Sequence, residues 1–268
     1  MSVKIHDLNA NEPIEVTKFP AGESYVKVPG TDKFWFDGCT IELKYESDAD
    51  LISMLMAVDA IRRVEPRAEI NLHMPYLPHA RQDRVCREGE SFSLQVVANL
   101  INSCGFDSVS FMDVHSSVAL DLIWRSRNVI FTEMYGFDDR MFDDVNCIVA
   151  PDKGAVERAQ VFAESILIPA DEVVYATKGR TPEGKPYFVG IEGNIPKDAN
   201  ILIVDDICDA GGSFIGLAQH LRPLTTGTIE LFVTHAILSK GAQVFDGIID
   251  TVYTPNLMGQ PHKLVKEL

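Results

Sequence analysis

The sequence predicts an α/β protein, because short apolar runs with the character of strands alternate with segments of helical apolar spacing. The alternation restarts near the middle of the chain, and its 268 residues suffice for one large domain or for two of about 130 residues each. Polar motifs also come directly after several of the strand-like runs. Together these observations favour mainly parallel sheets that are covered by helices on both faces.

Two helices and two strands are predicted in the first half of the chain. Apolar residues at helical spacing predict a helix over residues 49–64, and the next apolar run predicts a strand over 70–74. A second helix is predicted over 93–104, where the apolar residues fall on one face, and a second strand over 109–112.

The second half repeats this pattern. Apolar runs predict strands over residues 147–150, 201–204, 229–233 and 248–253. Helical spacing predicts helices over 155–164 and 214–221. The boundary between the halves is placed in the polar stretch around residues 134–145, which gives domains of residues 1–140 and 141–268.

Polar motifs occupy the positions where ligands bind in such folds. In parallel α/β sheets, ligands bind outside the carboxyl ends of the strands. The motifs that come after strand-like runs, two in each half, cover residues 75–87, 113–117, 152–158 and 205–213. We therefore expect the functional site to be built from these segments.

Composition and charge exclude several classes of protein. The net charge of -15 argues against broad nucleic-acid binding, which requires a basic face. No apolar run approaches the roughly 20 residues of a membrane span, and no secretory signal is recognised at the N-terminus. The five cysteines are scattered without metal-ligand spacing, which is typical of a reducing compartment. We expect a cytoplasmic protein that binds neither nucleic acid nor membranes.

The most informative motif is residues 201–213, which read Ile-Leu-Ile-Val-Asp-Asp-Ile-Cys-Asp-Ala-Gly-Gly-Ser. Its apolar start predicts a buried strand that should end at the acidic pair Asp205 and Asp206. Backbone N–H groups of the glycine loop and of the helix after it can bind phosphate, and the carboxylates can accept hydrogen bonds from sugar hydroxyls. The motif therefore predicts a site for a phosphorylated ribose. The alternative is an ordinary strand-to-helix turn; a P-loop is excluded because no Gly-Lys-Ser/Thr closes the motif.

Two motifs of the first half carry groups that suit a nucleotide. Arg81 and Arg84, with Gln82 and Asp83 between them, can form a bidentate clamp on phosphate oxygens. The alternative for this segment is a solvated charged loop. The motif Asp113-Val-His115 closes a predicted strand, and its two polar side chains suit either a metal or a nucleotide. The alternative here is a histidine with a purely structural role.

Taken in order, the motifs resemble those of ribose-phosphate pyrophosphokinases, also called phosphoribosyl pyrophosphate synthetases. The resemblance runs over almost the whole chain and rests on seven segments: Phe19-Pro-Ala-Gly-Glu23, Ala80-Arg-Gln-Asp-Arg84, Val97-Ala-Asn-Leu100, Asp113-Val-His115, Pro151-Asp-Lys-Gly154, Lys178-Gly-Arg180 and Asp205 to Ser213. The last segment is shared with phosphoribosyltransferases in general. The Arg-Gln-Asp-Arg and Asp-Val-His segments point to the synthetase.

The resemblance implies a fold, a reaction and an assembly. It implies two phosphoribosyltransferase-like α/β domains with the active site between them, ATP binding to the N-terminal one and the ribose phosphate to the C-terminal one. The reaction is the transfer of the β,γ-pyrophosphoryl group of ATP, with Mg²⁺ as the cofactor, to the anomeric hydroxyl of ribose 5-phosphate. The resemblance also implies a homo-oligomer, a dimer or a hexamer, with the adenine site near a subunit interface.

The resemblance also implies the site residues, position by position. The ATP-binding positions are Phe19, Glu23, Arg81, Gln82, Asp83, Arg84 and His115. The positions that meet magnesium are His115 and Asp152. The ribose-phosphate positions are Asp152, Lys153, Gly154, Asp205, Asp206, Asp209, Ala210, Gly211, Gly212 and Ser213. The catalytic positions are Lys178, Arg180 and His115.

The stretch 178–186 carries two of the catalytic positions. It is polar and contains glycine and proline, which suits a lid that closes over the substrate. The alternative is a basic loop with no structure of its own. In a closed site one such cation can contribute about 3 kcal/mol or more, because phosphoryl-type transfers depend on charge stabilisation.

Several departures mark the chain as a divergent member. Ala21 stands where the family usually has aspartate, and Asp-Ala-Gly-Gly-Ser at 209–213 replaces the usual Asp-Thr-Ala-Gly-Thr. The segment 116–124 lacks the family's glutamines, and the chain is shorter between the domains and at the C-terminus. The smaller loop suggests an acceptor whose 5-phosphate carries a further group, such as ADP-ribose, which would yield ADP-ribose 1-pyrophosphate. Ribose 5-phosphate remains the other acceptor.

Two rival functions stay open at this point. A phosphoribosyltransferase would share the 205–213 motif but has no need of Arg81, Arg84 and His115 in a second domain. A non-catalytic regulatory subunit would keep the fold without the reaction. The retention of Lys178 and Arg180 argues against the second rival.

Overall fold

A computed structural model of the chain describes residues 3–7, 15–28, 38–131, 139–180 and 186–268. The chain divides into two compact units, Met1–Ile130 and Phe131–Leu268. The boundary expected from the sequence, between residues 140 and 141, lies ten residues further along the chain than this division. Among the described helices, none combines the length and apolar character that crossing a membrane requires.

The first unit contains a sheet of five strands. In spatial order they are β1 (Val3–Asp7), β4 (Gly38–Leu43), β5 (Glu69–Met74), β6 (Ser108–Met112) and β7 (Ser126–Val129). All neighbours are parallel except β1, which runs antiparallel to β4. A separate antiparallel hairpin is formed by β2 (Glu15–Lys18) and β3 (Ser24–Lys27).

Helices α1 (Asp48–Val64), α2 (Ser93–Ser103) and α3 (Val118–Leu122) complete the described part of this unit. Helix α1 forms as the apolar spacing predicts, and the face that carries Leu51, Met54, Val58 and Ile61 is buried in the core. Its start is fixed by Asp50, whose carboxylate accepts a hydrogen bond from the backbone N–H of Ser47 at 2.7 Å. Arg62 and Arg63 in the last turn suit the negative end of the helix.

The second unit contains a larger sheet of eight strands, seven of which lie on one continuous path. In spatial order these are β10 (Pro186–Glu192), β9 (Val174–Arg180), β8 (Cys147–Ala150), β11 (Ile201–Cys208), β12 (Ile229–Ala236), β13 (Val252–Thr254) and β15 (Val265–Glu267). The short strand β14 (Asn256–Leu257) also pairs with β12. Among the described strands of this sheet, only the β9–β10 pair is antiparallel.

Helices α4 (Val156–Ser165) and α5 (Gly212–Leu221) come after β8 and β11, respectively. All four residues of β8 are buried, and so are the first four of β11. Because successive side chains of a strand point to opposite faces, this burial means that both faces of the central strands are covered. The predicted α/β fold with mainly parallel sheets is confirmed.

Three details differ from the sequence-based expectation. Strand β11 does not end before the acidic pair but continues to Cys208, because Asp205 and Ile207 pair with β12. The strand predicted over 248–253 begins only at Val252, since the N–H of Ile248 bonds to the carbonyl of Phe245 in a turn. Residues 178–180 and 186 are not loop residues, because they belong to the paired strands β9 and β10. Residues 181–185 of the predicted lid lie outside the described part.

Candidate active site

The acidic pair of β11 is bridged by an arginine of α4. Nη1 of Arg158 lies 3.6 Å from Oδ1 of Asp205, and Nη2 lies 3.7 Å from Oδ2 of Asp206. The side chains are largely buried, with 20% of Arg158, 20% of Asp205 and 4% of Asp206 exposed. One guanidinium therefore holds two adjacent carboxylates in place. Reasoning from the sequence missed Arg158 as a site residue, although its position in the 152–158 segment after β8 was a usable signal.

Burial gives Asp205 an unusual affinity for protons. Its pKa lies well above the ordinary value, first because the carboxyl is buried and then because the negative charge of Asp206 is adjacent. Arg158 opposes this shift, as does the backbone N–H of Asp206, which donates to Oδ1 of Asp205 at 2.9 Å. The pair is thus a set of oriented acceptors whose ionisation depends on Arg158.

The turn after β11 requires glycine at position 211. Gly211 has φ of +78°, which lies in the left-handed region, and a Cβ there would lie 2.7 Å from Cζ of Phe245. Gly211 is also the N-cap of α5, and it offers no side chain to the N–H groups of the first helical turn. Uncapped N–H groups at a helix N-terminus favour an anion. Gly212 and Ser213 are exposed, so a ligand can reach them.

The loop after β8 lies at the same edge of the sheet. Asp152 caps a short 3-10 helix, Lys153–Ala155, by accepting a hydrogen bond from the N–H of Gly154 at 3.0 Å. Strands β8 and β11 run parallel, with Val149 beside Ile203, so Asp152 and Asp205 both lie towards the carboxyl end. Lys153 is exposed and its Nζ lies 5.9 Å from the centre of the Tyr175 ring. These residues place a carboxylate and a cation at the edge that carries the acidic pair.

The backbone of β9 brings the predicted catalytic pair to this edge as well. Tyr175 of β9 lies beside Ala150, the last residue of β8. Strand β9 then continues to Arg180, and at about 3.3 Å per residue it projects well beyond the end of β8. The backbone of Lys178 and Arg180 therefore lies beyond the edge that carries Asp152. The hairpin partners are Phe188 for Lys178 and Pro186 for Arg180.

In the first unit, Asp83 joins two of the predicted ATP-binding segments. Its carboxylate accepts hydrogen bonds from Nε of Arg84 at 2.9 Å and Nη2 at 3.2 Å, and from the hydroxyl of Ser116 at 2.8 Å. The hydrogen bond to Arg84 holds the pKa of Asp83 below its ordinary value, with a smaller contribution from Ser116 against the effect of burial. The Arg84 side chain is 74% exposed, so this pairing orients it while leaving it accessible.

The other predicted ATP-binding residues of this segment are near the same strand ends. Arg81, Gln82 and His115 are exposed after β5 and β6. The two loops are joined by a hydrogen bond from the N–H of Met112 to the carbonyl of Pro75 at 3.1 Å. The structure thus brings the Arg-Gln-Asp-Arg and Asp-Val-His segments together.

Phe19 and Glu23 lie on a separate element, the β2–β3 hairpin. The N–H of Phe19 bonds to the carbonyl of Glu23 at 2.8 Å, which closes the turn. The Phe19 ring is 53% exposed and meets Tyr25 edge-on at 5.7 Å between ring centres. Ala21 is exposed on the same turn. An exposed aromatic ring on a tight turn suits contact with a flat ligand or a partner.

The described residues contain no ready-made metal site. No group of three or more His, Cys, Asp or Glu side chains within the described ranges is placed to hold a metal ion. Asp152 offers carboxylate oxygens, which suit Mg²⁺. His115 offers ring nitrogens, which Mg²⁺ disfavours, so this exposed side chain is better suited to contact a nucleotide.

Comparison with protein families matches both units. Residues 7–105 match the model for the N-terminal domain of ribose phosphate pyrophosphokinase. Residues 137–250 match the model for the phosphoribosyl transferase domain. The two matches fall in the same order as the two units of the structure.

Named relatives and a solved structure agree with these matches. The chain is 31% identical over 234 residues to the ribose-phosphate pyrophosphokinase of Pyrococcus furiosus, and the matched region covers 85% of this chain and 80% of the relative. It is 28% identical over 287 aligned positions to the ribose-phosphate pyrophosphokinase of Hyphomonas neptunium, and this match covers 98% of this chain and 89% of the relative. The crystal structure of phosphoribosylpyrophosphate synthetase from Mycobacterium smegmatis shares the fold, with a TM-score of 0.78 at 22% identity over 95% of this chain and 85% of that chain. The chain therefore belongs to the ribose-phosphate pyrophosphokinase family of diphosphotransferases.

Proposed function

We propose that the protein transfers the pyrophosphoryl group of ATP to the anomeric 1-hydroxyl of a ribose 5-phosphate moiety and releases AMP. The observation that carries the proposal is the Arg158-bridged pair Asp205–Asp206 directly before the uncapped glycine turn of α5. Relatives named ribose-phosphate pyrophosphokinase support pyrophosphoryl transfer and a ribose-phosphate acceptor.

The second unit binds the acceptor in this proposal. Backbone N–H groups around Gly211 and Gly212 bind its phosphate at the start of α5. The carboxylates of Asp205 and Asp206 accept hydrogen bonds from the sugar hydroxyls. Both contacts fix the sugar ring, so that its 1-hydroxyl is oriented for attack.

The reaction is an in-line displacement at the β-phosphorus of ATP. The oxygen of the 1-hydroxyl forms the new bond to phosphorus and releases its proton to solvent water, while the bond from the β-phosphorus to the α-phosphate oxygen breaks. The electron pair of that bond leaves with AMP. Lys178 and Arg180 stabilise the charge that develops on the transferred group and on AMP.

The first unit binds ATP. Arg81, Gln82 and Arg84 contact the nucleotide, and Asp83 orients Arg84 through its two hydrogen bonds. His115 contributes from the neighbouring loop. Phe19 and Glu23 reach the adenine of a neighbouring copy, so we infer a homo-oligomer, either a dimer or a hexamer; the exposed Phe19 ring supports this assignment.

Mg²⁺ fits the donor set with few protein contacts. Asp152 supplies a carboxylate to the ion. Asp152 and Lys153 also meet the pyrophosphate end of the nucleotide. His115 contacts the nucleotide that carries the ion. When bound, Mg²⁺ neutralises charge on the ATP phosphates.

A larger acceptor, ADP-ribose, is supported by the space around the phosphate turn. A Cβ placed on Gly212 would meet no atom within 4 Å, and Ser213 beside it is exposed. A phosphate that carries a second group needs such room, whereas a free monoester does not. The product from ADP-ribose would be ADP-ribose 1-pyrophosphate.

The buried thiols support a reducing compartment, and we place the protein in the cytoplasm. Burial raises the pKa of Cys104 and Cys147 to about 11 and that of Cys208 to about 12. Such thiols are unreactive structural groups rather than disulfide partners.

The experiment is an AMP-release assay with ATP and Mg²⁺, run separately with ribose 5-phosphate and with ADP-ribose, with product masses measured. We expect AMP with at least one acceptor and a product heavier by one pyrophosphoryl group. AMP with ribose 5-phosphate alone would disprove the larger acceptor. AMP release from ATP in the absence of any added nucleobase would exclude a phosphoribosyltransferase. No AMP with either acceptor would contradict the reaction and favour a regulatory subunit.

A further inference from the structure

Helix α5 carries a glycine in its interior, at position 216. Glycine there costs stability relative to alanine, because it loses more backbone freedom when the helix forms. A Cβ on Gly216 would lie 3.1 Å from Cε2 of Phe188 and 3.7 Å from its Cδ2. The missing side chain thus leaves space that the Phe188 ring occupies.

A second residue on the same helical face completes the seat for this ring. His220 comes four residues after Gly216 and lies one turn along the helix. The rings of Phe188 and His220 are stacked, with centres 6.2 Å apart and planes at 25°. Phe188 packs against the core of the second unit, whereas the next residue, Val189, is 61% exposed.

Phe188 lies in the part of the hairpin that carries the proposed catalytic residues. It is the cross-strand partner of Lys178, and Pro186 is the partner of Arg180. The register shifts between Phe188 and Gly190, which leaves Val189 as the extra residue of a β-bulge. Such bulges bend a strand and redirect the residues beyond them. The contact with α5 therefore holds the hairpin on the side of the bulge that carries Lys178 and Arg180.

The same helix begins at the phosphate turn, with Gly211 as its N-cap. One rigid element of ten residues thus connects the turn that binds the acceptor phosphate with the hairpin that carries Lys178. We propose that Phe188 is a positioning residue for the transfer reaction. Its ring, seated on Gly216 and His220, fixes the β9–β10 hairpin relative to the phosphate turn. Phe188 touches no substrate in this account, which rests on the proposed function.

Steady-state kinetics of AMP release separate positioning from binding. The variant Phe188→Ala should lower kcat by about 100-fold, the loss expected when reacting groups shift by about 1 Å, while KM for the acceptor changes little. Phe188→Leu keeps an apolar side chain on Gly216 and should recover most of the turnover. Val189→Ala removes apolar volume from the neighbouring exposed position and should match the unaltered protein.

Hydrogen exchange tests the contact independently of activity. Phe188→Ala should increase exchange in peptides from β9 and β10, whereas Val189→Ala should not. Equal turnover for Phe188→Ala and Val189→Ala, or equal exchange in the hairpin, would overturn the proposal. An unaltered protein that releases no AMP would overturn the proposed function and the role of Phe188 in transfer, while the exchange result still decides whether the ring docks the hairpin.

Discussion

The guanidinium of Arg158 lies 3.6 Å from the carboxylate of Asp205, and 20% of each side chain is exposed. The same guanidinium reaches Asp206 from its other nitrogen at 3.7 Å. Like charges in a buried site disfavour double ionisation, and the pKa of Asp205 is raised well above its ordinary value by burial and by Asp206 even beside Arg158. Arg158 limits this rise and so favours the ionised form of the pair.

Replacing Arg158 with methionine should move the acidic limb of the pH profile upward. The pKa of Asp205 is already raised by burial and by Asp206, and Arg158 is the charge that opposes this rise. Without it the carboxyl stays protonated to higher pH, so kcat/KM for the acceptor should fall at a pH about one unit higher or more. Arg158→Lys retains the charge and serves as the control. Superimposable profiles for the two variants would argue against this role.

Asp205→Asn should stabilise the second unit at pH 7 while lowering activity. The raised pKa means that the folded state prefers the protonated carboxyl. Stability is then greatest below the ordinary pKa and declines as pH rises through the raised one. An amide removes this penalty, so Tm at pH 7 should rise by at least about 2 °C, the shift expected for about 1 kcal/mol. The difference between variant and parent should vanish at low pH, and a lower Tm at pH 7 would contradict the prediction.

Gly211→Ala should destabilise the protein far more than Gly212→Ala. At position 211 the new methyl group would lie 2.7 Å from Cζ of Phe245, and the backbone has φ of +78°. We expect about 2–4 kcal/mol from left-handed strain and overpacking together, measured by denaturant unfolding. At position 212 a Cβ meets nothing within 4 Å, which makes it the matched control. Equal losses at both positions would show that the turn differs from this description.

Asp83→Asn should weaken ATP binding with little effect on stability. The substitution breaks the two-point pairing that orients Arg84, and KM for ATP should rise by about tenfold or more, as for the loss of one charged hydrogen bond. Unfolding free energy should change by less than about 1 kcal/mol, because the Arg84 end of the pair is 74% exposed and ion pairs open to solvent contribute little. Asp59→Asn breaks another exposed pair, to Arg63 at 2.7 Å, and should leave KM unchanged. A similar KM for both variants would remove Asp83 from the ATP site.

Lys178→Ala should lower turnover by orders of magnitude and leave the fold intact. The substitution removes one positive charge from the transferred group, and a comparable cation in phosphoryl transfer contributes about 10³-fold or more. Single-turnover AMP release measures the effect, and circular dichroism checks the fold. Unchanged turnover would remove Lys178 from the transfer step.

The sequence predicts the helices of this chain better than the ends of its strands. The apolar spacing of α1 matches the observed Asp48–Val64 almost to the residue, because spacing and capping are local properties. For strand β11 the apolar run predicts an end at Val204, since the run stops at the first carboxylate. The strand continues to Cys208 because its backbone pairs with β12, which lies elsewhere in the sequence.

The site residues also differ in whether neighbouring sequence or distant contacts determine their roles. Gly211 could be identified from its motif, since the turn geometry is set by neighbouring residues. The role of Arg158 depends on a carboxylate pair far along the chain, and that of Phe188, a strand residue, depends on Gly216 in helix α5. Neither contact has a local pattern, so both required the structure.

In the proposed reaction, a pyrophosphoryl group moves intact from ATP to the oxygen on carbon 1 of the acceptor. Phosphorus NMR of the reaction measures this directly, because it traces each phosphate of ATP to its product. We predict equimolar AMP and a product with two coupled phosphorus resonances newly attached to the sugar. ADP together with a singly phosphorylated acceptor, or AMP with free pyrophosphate and unchanged acceptor, would contradict the account.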